Sequence, residues 1–294
     1  MKFSLDLGGS TIDIYYIINN KKEFRSLESK LFNKNIENFK EKQEIDKLEI
    51  ILEKLEIFTV IKKAEKHTLV VTGGFSNIHN SQNNAHTTIF IRNIEFTIEI
   101  VSEFIAIGKG AEICSGQKSG IAVSLGTGTA MVLFNANSKE YTHIKGTGLG
   151  GGTFIGLSKA LLNISDFQEI SNLALRGVKK NIDLSVEEIV GGNIGTLPAS
   201  ATASNFAKYS EQTEKADIAL GIATMIAESI TALAIEKCLR HKQKHIVFGG
   251  KFSQLPIFKK HVENTTKLFN ITAIFPEHSE YITVIGASES QIKK

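Results

Sequence analysis

The stretch KFSLDLGGSTIDIYYII, residues 2–18, reads as strand, turn, strand. An apolar run from Lys2 to Leu7 carries one carboxylate, Asp6, near its end, and Gly8 and Gly9 break it. Beyond the turn Thr11, Asp13 and Tyr15 alternate with Ile12, Ile14 and Tyr16, the period of a strand. Asn19, Asn20 and Lys21 supply a second turn into a strand near 23–28, which completes an antiparallel unit.

The same plan returns further on. GIAVSL (120–125) is an apolar strand, GTGTA turns the chain, AMVLF (130–134) resumes, and a turn at 135–140 leads into YTHIKG. This repetition predicts an α/β protein of two related halves with a cleft between them. Around the two units the chain alternates. Residues 38–56 are an amphipathic crossover helix with apolar Ile45, Leu48, Ile51, Leu52 and Leu55. HTLVVTGG (67–74) is a buried strand, and 77–86 is a polar surface loop. GTFIGLSKALLN and SDFQEISNLALRG are two helices, the second with Ser165 and Glu169 at its start and Gly177 at its end. The run 214–241 is apolar on nearly every side, which places it between layers or in a subunit interface. HIVFGG (245–250) is a last strand with a glycine turn, and 281–290 forms a terminal helix.

Composition excludes several classes. A net charge of +3, from 34 basic against 31 acidic residues, gives no field to attract nucleic acid. Two cysteines, Cys114 and Cys238, fit a reducing compartment and supply no metal-binding cluster. There is no charged leader followed by an apolar segment and cleavage site, and no run approaches the 18 or so uncharged apolar residues of a membrane span. These features predict a cytoplasmic protein with neither membrane nor nucleic acid as partner.

The chemistry lies in the glycine turns. DLGGST (6–11), TGG (72–74), LGTGTA (125–130) and FGGKFS (248–253) each follow a strand-like run, and GTGLGGGT (146–153) adds another cluster. Glycine permits positive φ and close approach of backbone N–H groups, which makes concavities for phosphate oxygens. A single such turn equally closes a hairpin; five point to a nucleotide. No GxxxxGK[ST] is present, no GxGxxG follows a first strand with a ribose-binding acid, and neither HRD nor DFG occurs. The P-loop, dinucleotide and protein-kinase folds therefore lose ground.

The order DLGGST, TGG, SEF, GTGT, GTGLGGGTF, NIDL, FGGKF and EHSEYITVIGA resembles the type II pantothenate kinase family, within the actin, hexokinase and Hsp70 ATPase superfamily. GTGLGGGTFIGL (146–157) and TASNFA (202–207) are its most specific parts. The resemblance implies a two-lobed, duplicated ribonuclease-H-like (actin-like ATPase) fold with a central nucleotide cleft. Residues 1–116 would form the phosphate-1 and acceptor lobe, and 117–294 the phosphate-2, adenosine and dimerisation lobe. It further implies phosphorylation of pantothenate by ATP, with Mg, in the first step of coenzyme A biosynthesis. A homodimer built partly on the long helix, and CoA or acyl-CoA as feedback ligand, follow from the same resemblance.

Roles pass to individual residues in the same way. Asp6 would hold Mg or its waters, with Gly8, Gly9 and Ser10 around the β- and γ-phosphates; from sequence alone Asp6 also reads as a turn cap. Glu103 in IVSEFIAIG matches the catalytic base, and without the resemblance reads as a first-turn helix residue behind Ser102. Gly126, Thr127, Gly128 and Thr129 would form the second phosphate loop, their hydroxyls adding donors. Gly150, Gly151, Gly152 and Thr153 would line the nucleotide and acceptor cleft. Gly249, Gly250 and Phe252 match the segment against adenosine.

The chain departs from the family at four places. Asp13 replaces a lysine of the first motif, a two-unit change of charge that sets it apart from a phosphate-binding Lys and leaves a metal or a different role open. His143 stands where the family carries an acceptor-contacting Arg; Lys145, two residues on, shares a face with it if the strand is regular. Ala130 replaces the Ser that ends the second loop, and Val178 an Asp after the second helix. An ordinary pantothenate kinase with altered clamping fits this pattern. A small-molecule kinase of changed acceptor, or a weakly active nucleotide- or CoA-binding regulatory paralogue, is the alternative.

Overall fold

The computed structural model describes residues 1–29, 41–62, 65–73, 87–195 and 197–290. Strands β1 (Lys2–Leu7), β2 (Thr11–Ile18) and β3 (Lys21–Glu28) form the expected antiparallel meander. Alternation along β2 sends Ile12, Ile14 and Tyr16 into a core with Phe3, Leu5 and Leu7. Helix α1 (Lys42–Lys54) covers that core with Leu48, Ile51 and Leu52 and leads to β4 (His67–Thr72), which pairs parallel with β1. The predicted start of this helix at 38, Gly74 and the polar loop 77–86 lie outside the described residues. A hairpin the sequence reading passed over, β5 (Thr87–Ile91) and β6 (Ile94–Ile100), completes a six-stranded sheet of order β3-β2-β1-β4-β6-β5. Helix α2 (Glu103–Ser115) then leaves it.

The second half repeats this order. β7 (Ser119–Leu125), β8 (Thr129–Asn135) and β9 (Glu140–Thr147) are the second meander. Helices α3 (Gly151–Leu162) and α4 (Phe167–Ala174) follow, then the short β10 (Leu184–Ser185), α5 (Val186–Val190) and β11 (Thr202–Ser204). Asp166, not Ser165, caps α4, accepting the Glu169 N–H at 2.7 Å. The long helix α6 (Lys215–Arg240) precedes β12 (His245–Gly249), which pairs parallel with β7 as β4 does with β1. Helix α7 (Pro256–Lys267), β13 (Thr272–Ile274) and α8 (Ile282–Glu289) close the chain. The five-stranded sheet β13-β12-β7-β8-β9 thus copies the central order of the first.

Of the two places expected for α6, it occupies the one between layers. It is long and apolar enough by composition to cross a membrane. Its Ile222, Ile226 and Ile230 instead fill the second core with Ile121, Val123 and Phe154.

The lobes are joined by α2 and α8, which occupy equivalent positions after the two sheets. Their backbones approach closely: a Cβ on Gly286 would lie 1.9 Å from the Ala106 oxygen and 2.4 Å from the Gly110 nitrogen, and one on Gly110 2.0 Å from the Ile282 oxygen. The terminal helix also seals the first sheet, with Val284 and Ile285 against Tyr15, and Ala287 beside Val70 and Val101. It belongs to both lobes by contact. Gly286→Ala is expected to force the helices apart and destabilise the protein by about 1–3 kcal/mol in chemical denaturation. Gly156→Ala, on an exposed turn of α3 with nothing within 4 Å, is expected to stabilise by about 0.5–1 kcal/mol instead.

Candidate functional site

The two glycine loops face each other. They follow equivalent central strands, β1 and β7, and meet where Ser10 Oγ lies 2.8 Å from Thr127 Oγ1. The approach is tight at Gly9, where a Cβ would stand 2.3 Å from Thr127 Oγ1. Asp6 sits at the end of β1 between Asp13 and Thr72 in register, with Oδ2 4.0 Å from where a Gly8 side chain would begin.

The triple glycine supports the second loop. The Gly151 N–H donates to the Gly126 carbonyl at 2.8 Å and the Gly152 N–H to the Thr127 carbonyl at 2.9 Å. A Cβ on Gly150 would meet the Gly128 oxygen at 2.7 Å. Gly150, Gly151 and Gly152 therefore form the shelf on which the second loop is laid, and two of their N–H donors are already engaged. The hydroxyls are similarly committed: Thr129 Oγ1 donates to the Leu149 carbonyl and Thr153 Oγ1 to the Gly148 carbonyl, both at 2.7 Å. The Thr129 hydroxyl, expected to add a phosphate donor, gives its hydrogen to the loop's own shape, and Thr153, expected on the cleft lining, braces Gly148. Thr127 is the loop hydroxyl turned toward the first lobe.

The segment matched to adenosine packs behind this shelf. The Gly250 N–H donates to the Ser279 carbonyl at 2.9 Å, and Gly249 faces Ile282 and Ser279. Within that segment the Phe252 ring faces inward: it is 0% exposed and packs edge-on against Phe154 and Phe258. It anchors the short turn Lys251–Gln254.

Asp13 is neither an unpaired replacement for a lysine nor an open metal ligand. Its carboxylate accepts from Thr11 Oγ1 at 2.8 Å, from Ser26 Oγ, and from Lys251 Nζ at 3.1 Å. Lys251 comes from the second lobe. A buried charge is tolerated when its partners are charged and hydrogen-bonded, and this one has both.

Glu103 is the first residue of α2, behind Ser102 at the N-cap, so the bland reading of the sequence and the catalytic one describe the same position. The helix terminus favours a carboxylate there. Burial outweighs it and raises the Glu103 carboxyl above the usual range. Next to it Phe104 stacks on His143, ring centroids 4.2 Å apart at 18°. Ala130 packs in the cluster that contains Phe104 and Tyr141. Lys145 does not share this face in the regular way: a register shift sets His143 opposite Val132 but Lys145 opposite Met131, neighbours on β8 that point to opposite sides. Val178 stands apart, its N–H donating to Asp217 Oδ1 at 2.6 Å.

Sequence reasoning missed two groups. Lys251 lay inside a quoted glycine turn, and its signal was an acidic residue on β2 in need of a cation. Glu228, on the inner part of α6, accepts from Thr202 Oγ1, from Asn205 Nδ2 at 3.0 Å and from Lys179 Nζ at 3.1 Å. The TASNFA segment is thus tied to the long helix by a polar network.

The fit for magnesium is that of a substrate-bound ion. Among the described residues no cluster of three or more potential ligands occurs. Mg typically takes one or two carboxylates plus phosphate oxygens and water, and Asp6 at the loop mouth would supply one.

The Fumble family model matches residues 120–289. The type II pantothenate kinase of Staphylococcus epidermidis strain RP62A is 27% identical over 297 residues, with 98% of this chain and 99% of the relative covered. That of Bacillus cereus strain G9842 is 31% identical over 171 residues, 57% of this chain and 62% of the relative. Among solved structures, the activator of the 2-hydroxyisocaproyl-CoA dehydratase from Clostridium difficile with bound ADPNP is similar at a TM-score of 0.62 and 16% identity. That alignment covers 98% of this chain and 92% of the other. The duplicated sheets and facing loops are those of the actin-like ATPase fold. With more than half of its residues matched by the family model, the chain belongs to the Fumble family, that of the type II pantothenate kinases.

Proposed function

We propose that the protein transfers the γ-phosphoryl group of ATP to the primary hydroxyl of pantothenate, giving 4'-phosphopantothenate and ADP. The observation that carries this reading is the meeting of the two glycine loops at Ser10 and Thr127, in a chain of this family. Loops from both lobes meet there, so a triphosphate bound at that edge is gripped from two sides. The hydrogen bonds that fix the second loop to its shelf set its shape before the ligand arrives, which lowers the ordering cost of binding.

In the proposed reaction Glu103 accepts the hydroxyl proton as the pantothenate oxygen bonds to the γ-phosphorus and the bond to the β-phosphate breaks. A carboxylate raised by burial is a stronger base than an exposed one, which suits it to this step. His143, braced by Phe104, and Ala130 lie on the acceptor side, whereas Lys145, on the other side of the bulge, has no part in it. A magnesium ion held by Asp6 would neutralise phosphate charge when bound. Cytoplasmic residence, homodimer formation and feedback by CoA or acyl-CoA are part of the same proposal. The homodimer of this proposal is built partly on the long helix α6, which keeps Leu239 exposed at its end.

Four outcomes test it. Purified protein with ATP and pantothenate is expected to form a phosphorylated product, and Glu103→Gln to lower kcat by about 10²–10⁴-fold while ATP binding persists; undiminished turnover removes Glu103 as base. The acid limb of kcat/KM is expected above the ordinary carboxylate range and absent from the variant. The fold holds the protonated form of Glu103 better than the unfolded chain does, so its contribution to stability is complete below the unfolded pKa and falls as pH rises through the raised one. Glu103→Gln is therefore expected to melt higher than wild type at neutral pH, with the difference vanishing in acid. Finally, Gly9→Ala is expected to weaken ATP binding by wedging the loops apart, and Thr127→Gly in the same protein to restore part of it.

A further inference from the structure

The cluster Asp13, Ser26 and Lys251 joins the two lobes at the phosphate loops, and nothing in the proposed reaction uses it. Asp13 is the register partner of Asp6, on the face of the first sheet that looks toward the second lobe. Thr11, which donates to Asp13, follows Ser10 directly, the residue that touches the second loop. From the other side, Lys251 follows Gly250, whose Cβ would stand 2.3 Å from the carbonyl of Leu125, the residue before the second loop. The Lys251 ammonium is thereby bracketed by residues adjoining both loops.

Its chemistry is that of a held but incomplete donor. Nζ reaches Ser26 Oγ at 2.6 Å and Asp13 Oδ1 at 3.1 Å. An ammonium has three donors, so two acceptors leave one hydrogen to place. The side chain is 38% exposed whereas that of Asp13 is 10% exposed. One partner is enclosed and the other opens toward solvent, which is the arrangement of an anchor and a presented cation.

We propose that Lys251 contacts the nucleotide's phosphates, delivered across the cleft from the second lobe and positioned by Asp13 and Ser26. The inference rests on the nucleotide reading above. It also removes the charge conflict posed by an aspartate beside a phosphate loop: the Asp13–Lys251 pair is neutral, and its ammonium is the exposed member. A polyphosphate bound at the loops brings that ammonium a further acceptor without desolvating an unpaired carboxylate.

Titration calorimetry with ATP, ADP and adenosine separates a phosphate contact from a strut between lobes. Lys251→Met is expected to weaken ATP and ADP by about ten- to a hundredfold, the loss of a hydrogen bond between charged groups, and to leave adenosine unchanged. Lys251→Arg is expected to keep most of the preference for ATP over adenosine. The exchanged pair Asp13→Lys with Lys251→Asp, which restores an ammonium from the other lobe, is expected to recover part of the loss. Lys251→Met leaves the enclosed Asp13 carboxylate without its cation and is expected to melt lower, so the comparison is repeated in Lys251→Met with Asp13→Asn, which strands no charge and is expected to show the same selective loss of ATP and ADP. Equal weakening of ATP and adenosine, or unaltered ATP binding in Lys251→Met, overturns the phosphate contact. Wild-type protein that binds no nucleotide at all overturns the site reading with it.

Discussion

The crossing of α2 and α8 is the constraint on which the rest of the structure depends. Two helix backbones meet at Gly110 and Gly286 with no room for a methyl group, so the lobes are held at a separation set by main chain rather than by adaptable side chains. Close packing of this kind transmits position with little slack. Because β1 and β7 lead to α2 and α8 through equivalent sheets, fixing the helices fixes the ends of both central strands. The Ser10–Thr127 contact follows from that geometry.

Within the site, most polar groups serve the loops before they serve a ligand. The Gly151 and Gly152 N–H groups and the Thr129 and Thr153 hydroxyls all bind carbonyls of neighbouring loop segments. This is the physical content of preorganisation: the donors fix the loop's shape, and fewer of its groups are left to reorient. Glu103 shows the complementary device. Its place at a helix N-terminus stabilises the charge, burial opposes it, and the balance leaves a carboxyl with raised proton affinity.

Much of this was legible along the chain. The repeated strand, glycine turn and strand announced the duplication, and the alternation along β2 placed Ile12, Ile14 and Tyr16 in the core. The glycine clusters marked the loops. What could not be read were the partners. Asp13 looked like a charge without a counterion because Lys251 is far away in sequence and arrives only when the lobes fold together. Phe252 was matched with a ligand-facing segment, but two aromatic neighbours, Phe154 and Phe258, enclose its ring. Lys145 was paired with His143 by strand alternation, which one bulged residue interrupts. The β5–β6 hairpin carries no glycine turn of the kind that drew attention elsewhere; its turn uses Arg92 and Asn93 at positive φ.

The sequence by itself determined the element types, the twofold repeat and the family, because periodicity and glycine placement are local properties that a chain displays without folding. Only the tertiary structure decided which donors remain for a ligand and which carboxylate has a cation. Hydrogen bonds and charge pairs form between atoms brought together from distant parts of the chain, and their distances depend on how two sheets are set against one another at Gly110 and Gly286.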